Sequence, residues 1–291
     1  MRTPIGEERI AAFGTTRLHF RVFGMPGDLP DIVLDHGGGG SADDWNALVP
    51  LLAPQTRVFS YDRAGMGDSP ADGQGCGAPT VSRRLAQLVE HAAVRRPFIL
   101  VGYSLGGLYA RHYAQQRPQD IAGLVLVDTT PTANEIPTAQ IRSVMRLLTL
   151  FHWLARSGLG SLYLRVKGKY DDKARRAIAR FAAPAFVPNM GAEMAAIAGV
   201  QAEVERVAAQ LRHPTLAVLA GVRPPRMSEA EFAKVRPMHD ALARSAPAPL
   251  SRQVVVETAH HGNLVNDPLH AAQLADHILA FARSLKSAVP A

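Results

Sequence analysis

The 291-residue chain is 47% hydrophobic and carries a single cysteine, enough apolar material for one large domain or two small ones. Lone Cys76 excludes an intramolecular disulfide and a cysteine-rich metal site, and its glycine-rich surroundings predict a surface loop. The net charge of +7 invites a nucleic-acid reading, but twelve Lys or Arg and five acids between Pro137 and His213 account for all of it. The basicity therefore belongs to one segment, which reads as a solvated helix face or as an attractor for an anionic substrate or membrane surface.

The amino terminus, Met1-Arg2-Thr3-Pro4-Ile5-Gly6-Glu7-Glu8-Arg9, lacks the apolar stretch of a secretory signal and carries acids early, against an export or transit peptide. The longest apolar window, Leu147 to Ala155, is interrupted by Thr149 and His152 and is too short to span a bilayer. A soluble, cytoplasmic protein is expected. Along the chain, an opening hairpin is predicted at Arg9 to Phe13 and Leu18 to Phe23, joined through Gly14. Further strands follow at Asp31 to Asp35, Arg57 to Tyr61, Phe98 to Tyr103, Gly123 to Asp128, Thr215 to Ala220 and Gln253 to Glu257, eight in all. Helices fit at Asp43 to Leu52, Thr80 to Ala93, Leu105 to Arg117, Glu229 to Ser245 and Pro268 to Leu285. The first opens on Ser41-Ala42-Asp43-Asp44, a capping pattern whose acids suit the helix dipole. Alternating strands and helices predict an α/β fold, a mostly parallel sheet covered on both faces.

About 80 residues between Asp128 and Thr215 break the alternation. They read as three or so helices, Thr138 to Arg156, Tyr163 to Ala182 and Glu193 to Leu211, with turns at Gly158, Gly160, Pro184 and Pro188. The expectation is a core of residues 1–130 and 214–291 and an inserted helical cap of residues 131–213. Leu147, Leu148, Leu150, Phe151, Trp153 and Leu154 exceed what one face of a surface helix needs, so some of them are expected to line a pocket.

Gly102-Tyr103-Ser104-Leu105-Gly106-Gly107 joins a predicted strand to a predicted helix. A serine between glycines at such a turn is forced into a strained backbone that presents its hydroxyl above the sheet edge, although a serine there also serves as a cap. A serine hydroxyl needs a base. The loop after the last strand, Ala259-His260-His261-Gly262, lies on the same edge and offers two histidines. An oxyanion needs two positioned N–H donors. Leu105 is one candidate, and the other lies in His36-Gly37-Gly38-Gly39-Gly40, where a glycine run lets backbone approach substrate. Glycine-rich turns also cradle phosphates, but no Gly-Lys-Ser/Thr follows this one.

Together these motifs resemble the α/β-hydrolase superfamily, in particular capped bacterial serine hydrolases of the esterase, lipase and lactonase kind. His36-Gly37-Gly38 is similar to its oxyanion loop, Tyr61 to Ser69 to its turn after the fourth strand, Gly102 to Gly107 to its nucleophile elbow, and Leu124 to Asp128 to its sixth strand. The resemblance implies an eight-stranded sheet with a helical cap, oxyanion donors at Gly38 and Leu105, and a catalytic histidine seven residues before the proline opening the last helix. From Pro268 that is His261, with His260 as runner-up. It also implies that Asp62 holds its turn together outside the catalytic set. One departure concerns the acid. The usual Gly-x-x-Asp after the seventh strand is absent from Leu219 to Arg226, so Asp128, closing the sixth strand, becomes the choice, with Glu229, Glu231, Asp240 and Glu257 as weaker options.

The expected activity is hydrolysis of a carboxylic ester or lactone through an acyl-serine, using Ser104, His261 and Asp128 with no cofactor and no metal. The expected partner is a small-molecule ester or acyl substrate, an anionic group on it being one option, and not nucleic acid. An acyltransferase or thioesterase would use the same residues, and carbon–carbon bond hydrolysis or a lyase reaction suits the same scaffold. Haloalkane dehalogenase and epoxide hydrolase need an aspartate where Ser104 stands. A ligand-binding protein with a vestigial pocket is the alternative of another class.

Overall fold

The computed structural model describes residues 6–132, 138–170, 172–208, 210–224 and 227–288. The terminus read at residues 1–5 lies outside them, as do Asp171 and the side chains of Asp172, Lys173 and Arg176 counted among the charges. β1 (Glu7–Phe13) and β2 (Thr16–Phe23) form the predicted hairpin around Gly14, whose φ of +62° suits glycine. β3 (Ile32–Asp35), β4 (Val58–Tyr61), β5 (Phe98–Tyr103), β6 (Ile121–Val127), β7 (Thr215–Val222) and β8 (Arg252–His260) complete the sheet. Its order is β1-β2-β4-β3-β5-β6-β7-β8. β2 meets β4 antiparallel, and every pairing from β4 to β8 is parallel.

Central strands are apolar on both sides because helices cover both faces. Ile32, Leu34, Ile99 and Val101 point into one cluster, while Val33, Phe98 and Leu100 point into the other, the two-residue period of a strand. α1 (Val49–Leu52) and α9 (Pro268–Ala288) close the first face; α2 (Ala78–His91) and α3 (Leu105–Gln116) close the second. The helix predicted over Asp43 to Leu52 is instead a 3-10 turn, Ala42–Trp45, followed by short α1. Pro50 is the reason: an interior proline removes an N–H and clashes one turn back, but fits the first turn of a new helix. Ser41 and Asp44 do form the predicted capping box. Cys76 lies in a loop among exposed glycines and is itself half-buried, and its carbonyl accepts the Tyr109 hydroxyl at 2.8 Å.

Where three or so helices are expected, the described residues between β6 and β7 form four: α4 (Thr138–Arg156), α5 (Leu159–Val166), α6 (Asp172–Ala182) and α7 (Phe186–Ala208). The helix expected from Tyr163 to Ala182 splits because Gly168 takes φ +64°, which ends a right-handed helix. Gly160 lies inside α5, and Pro188 in the first turn of α7, where its missing N–H costs nothing. α7 packs Ile197, Val200, Val204 and Ala208 against Leu105, Leu108 and Tyr109. Of the six apolar residues, some of them expected to line a pocket, Leu150, Phe151 and Trp153 are exposed, Phe151 edging the Phe181 ring at 6.0 Å, while Leu147, Leu148 and Leu154 are half-buried. Composition sets how much apolar surface a helix carries, while the neighbours it meets set which part is covered. α8 (Glu229–Arg244) returns the chain to the sheet.

Candidate active site

Strand order reverses at β3, which lies between β4 and β5, and in open α/β sheets the crevice beyond the strand ends at such a point holds ligands. Ser104 stands there, directly after β5, with φ 52° and ψ −118°. Side chains avoid positive φ, and of the described non-glycine residues only Ala93, Ser104 and Asp128 adopt it. Two of the three are thus the predicted nucleophile and acid. The elbow needs its glycines for space: a Cβ on Gly106 would lie 2.5 Å from the carbonyl oxygens of Asp35 and His36. The Ser104 carbonyl accepts the N–H groups of Gly107 and Thr130 at 3.0 and 3.1 Å, which fixes the turn and leaves the hydroxyl out of it.

Asp128 follows β6. Its N–H donates to Val218 O at 2.7 Å, and its Oδ2 accepts from His261 Nδ1 at 2.6 Å across 133 residues of sequence. His261 is also stacked on Tyr103, ring centroids 5.0 Å apart, and its carbonyl accepts the Tyr103 hydroxyl. Held this way, the imidazole carries its proton on Nδ1 and keeps the Nε2 lone pair for a base's work. His260 does something else: its Nδ1 accepts the N–H of Gly262 and caps the turn. The weaker acid options are occupied elsewhere. Glu231 caps α8, Asp240 pairs with Arg244, and Glu257 pairs with Arg236, while Glu229 lies exposed in the first turn of α8. Asp62 accepts from Ala42 N at 2.6 Å, Asp68 N at 3.0 Å and His19 Nδ1 at 2.9 Å, the work of a turn-holding residue.

Gly37 and Gly38 run past the elbow. A Cβ on Gly37 would lie 3.5 Å from the Ser104 Cβ, and one on Gly38 3.5 Å from Leu105 Cδ2. Among the described residues neither Gly38 N–H nor Leu105 N–H has an intramolecular acceptor. Both N–H groups belong to segments that meet at the elbow.

Three residues outside the sequence-level set build this loop. Arg63 is buried and donates to Asp35, to the carbonyls of His36 and Gly37 at 2.6 and 2.7 Å, and to Glu193 at 2.9 Å. Glu193, buried on α7, accepts the Gly39 N–H with its other oxygen at 2.5 Å. Tyr103 is the third, as the support of His261. Tyr103, the residue before the nucleophile, and Arg63, inside the Tyr61 to Ser69 turn, lie in motifs visible in the sequence, whereas Glu193 does not. Burial pushes the Asp35 carboxyl up against the opposing charge of Arg63.

His36 threads this network as a neutral ring. Nδ1–H donates to Gly37 O at 2.8 Å, and Nε2 accepts the Arg63 N–H at 3.3 Å. Burial first, and the charge of Arg63 second, hold its pKa well below the ordinary 6.5. An unfolded chain binds the proton that this site refuses, so His36 costs no stability above that value and destabilises progressively as pH falls below it. His112, His213 and His277, also depressed chiefly by burial, add with the same sign, whereas His19, raised by its bond to Asp62, opposes them. Urea unfolding at about pH 5.5 is expected to give a lower midpoint than at about pH 7.5, with a smaller difference in His36→Gln.

A cavity of about 260 Å³ lies behind the elbow, walled by Arg111, Thr129, Thr130, Glu205, His239 and Leu242 among others. Ser104 and His261 are not among its walls.

The model of the alpha/beta hydrolase fold family matches residues 30–157. A hydrolase from Pseudomonas aeruginosa PA01 superposes with a TM-score of 0.67 at 23% identity, covering 95% of this chain and 98% of that one. The chain has the α/β-hydrolase fold. The pimeloyl-[acyl-carrier protein] methyl ester esterase of Aeromonas hydrophila is 28% identical over 274 residues, 87% of this chain and 96% of that one. That of Edwardsiella ictaluri is 39% identical over 101 residues, covering 35% and 37%. Several of the curated relatives are matched over less than half their own length. No described helix is long and apolar enough to cross a membrane.

Proposed function

We propose that the protein is a serine hydrolase that cleaves a carboxylic ester or lactone of a small molecule through an acyl-serine intermediate. The observation that carries this reading is the 2.6 Å bond from His261 to Asp128 on the sheet edge where strained Ser104 emerges. In the proposed reaction His261 Nε2 takes the Ser104 proton as the hydroxyl oxygen attacks the carbonyl carbon. The resulting oxyanion is received by the N–H groups of Gly38 and Leu105, and His261 returns the proton to the leaving alcohol. Water, activated by the same imidazole, then releases the acid and frees Ser104. Each step is carried by groups of this chain, without a cofactor. The methyl ester esterase names of two relatives support an ester as the bond cleaved.

Residues 131–213 serve in this reading as a lid over the site. Support comes from contacts tying the insertion to the core beside Ser104: Glu193 to Arg63 and Gly39, and Asn189 Nδ2 to Gly65 O at 2.7 Å. A cytoplasmic location completes the reading. Treatment with a fluorophosphonate should phosphonylate Ser104, identified by peptide mass spectrometry, and abolish a burst with p-nitrophenyl acyl esters. Ser104→Ala should take up no label and show no burst; labelling at another serine, or an unchanged burst in the variant, overturns the assignment.

A further inference from the structure

α5 carries Leu159, Leu162, Tyr163 and Val166 at spacings of three, four and seven residues, a single stripe along one helix face. In a surface helix that stripe faces a core. Here each of the four is between 58% and 76% exposed, and no residue of α5 is buried. Leu150 and Trp153, exposed in the preceding α4, extend the apolar surface. A contiguous patch of this kind on a monomer marks an interaction surface.

The charges around it say what it meets. From residue 138 to residue 170 there is no Asp or Glu, while Arg142, Arg146, Arg156, Arg165, Lys167 and Lys169 all lie exposed. Arg142 and Arg146 occupy the α4 face that continues into Leu150 and Trp153. Arg165, Lys167 and Lys169 border the end of the α5 stripe. Aliphatic and aromatic side chains in the middle, cations at the edges and no carboxylates match an interface of acyl chains beneath anionic headgroups. A protein partner would typically be met with mixed charges at the rim, and a second copy of this face would set like charges against like.

We propose that the α4–α5 face of the insertion docks on an anionic lipid surface, with Trp153, Leu159, Leu162, Tyr163 and Val166 entering the headgroup layer and the surrounding arginines and lysines engaging lipid phosphates. Docking of this face is independent of the reaction assigned to Ser104, since none of its residues belongs to that site.

The two tryptophans make the test direct, because Trp45 is fully buried in the core and Trp153 is 65% exposed. At low ionic strength, vesicles of phosphatidylcholine with about one quarter phosphatidylglycerol should sediment the protein and shift its emission to the blue, with weaker binding to pure phosphatidylcholine. Leu159→Asp combined with Leu162→Asp, both at exposed positions, should abolish both signals while circular dichroism stays native. Arg165→Glu combined with Lys167→Glu should weaken binding by about tenfold or more, an effect lost in high salt. Absence of binding to the anionic vesicles, or binding unchanged by the aspartate pair, overturns the proposal. So does a blue shift that follows protein concentration without vesicles and accompanies dimers in sedimentation velocity, which would give the face to a second copy.

Discussion

Asp128→Asn is expected to lower kcat by about ten-thousand-fold with little change in KM and no loss of fold. The carboxylate accepts from His261 Nδ1 at 2.6 Å, which leaves Nε2 as the lone pair facing the reaction. An asparagine presents an amide N–H to the same nitrogen, favouring the tautomer in which Nε2 already holds a proton and cannot take one from Ser104. The substitution is a clean one for the backbone. Asp128 sits at φ 43°, a region that asparagine tolerates as well as aspartate, and its N–H bond to Val218 O survives. Steady-state hydrolysis of a p-nitrophenyl ester, read beside thermal unfolding, checks both halves. A folded variant with native kcat would move the acid to another carboxylate, and the weaker options are poorly placed to replace it: Glu229 is exposed, Glu231 caps α8, Asp240 pairs with Arg244 and Glu257 with Arg236.

Asp128 was legible because two local rules converge on it. Parallel strands end on one edge, so the first residue after β6 and the loop after β8 must lie near each other, and the departure after β7 leaves no competitor there. β5 and the start of α3 coincide with the predicted boundaries for a similar reason, the glycines of the elbow permitting one chain path. The pairing of Arg63 with Glu193 was not legible. They meet across 130 residues, and an acid within an amphipathic helix reads as a solvated face unless the partner buried beneath it is known. The α4–α5 face failed in the opposite direction: periodicity showed that an apolar surface exists, and only the packing of the insertion shows that no part of the described chain covers it.

The largest stability effect is expected at Arg63. Its guanidinium is buried between the carboxylates of Asp35 and Glu193, themselves buried, and fills its remaining donors with two carbonyls of the oxyanion loop. Removing one partner of a buried ionic group leaves the others uncompensated, so Arg63→Ala should cost about 3–5 kcal/mol in urea unfolding. Arg63→Lys should recover only part of that, since an ammonium cannot reproduce the planar fork that reaches both acids and both carbonyls. The pH dependence separates this cause from lost packing. Without the cation, Asp35, already pushed upward by burial, binds a proton more readily in the folded state than in the unfolded one. The deficit of Arg63→Ala against the native protein should therefore narrow as pH falls toward about 5, whereas a deficit of packing alone would stay constant. Catalysis should follow the same residue through Glu193, whose second oxygen fastens Gly39: in Glu193→Gln, a milder change that keeps the shape, the neighbouring Gly38 donor loses part of its anchorage and kcat falls more than KM rises.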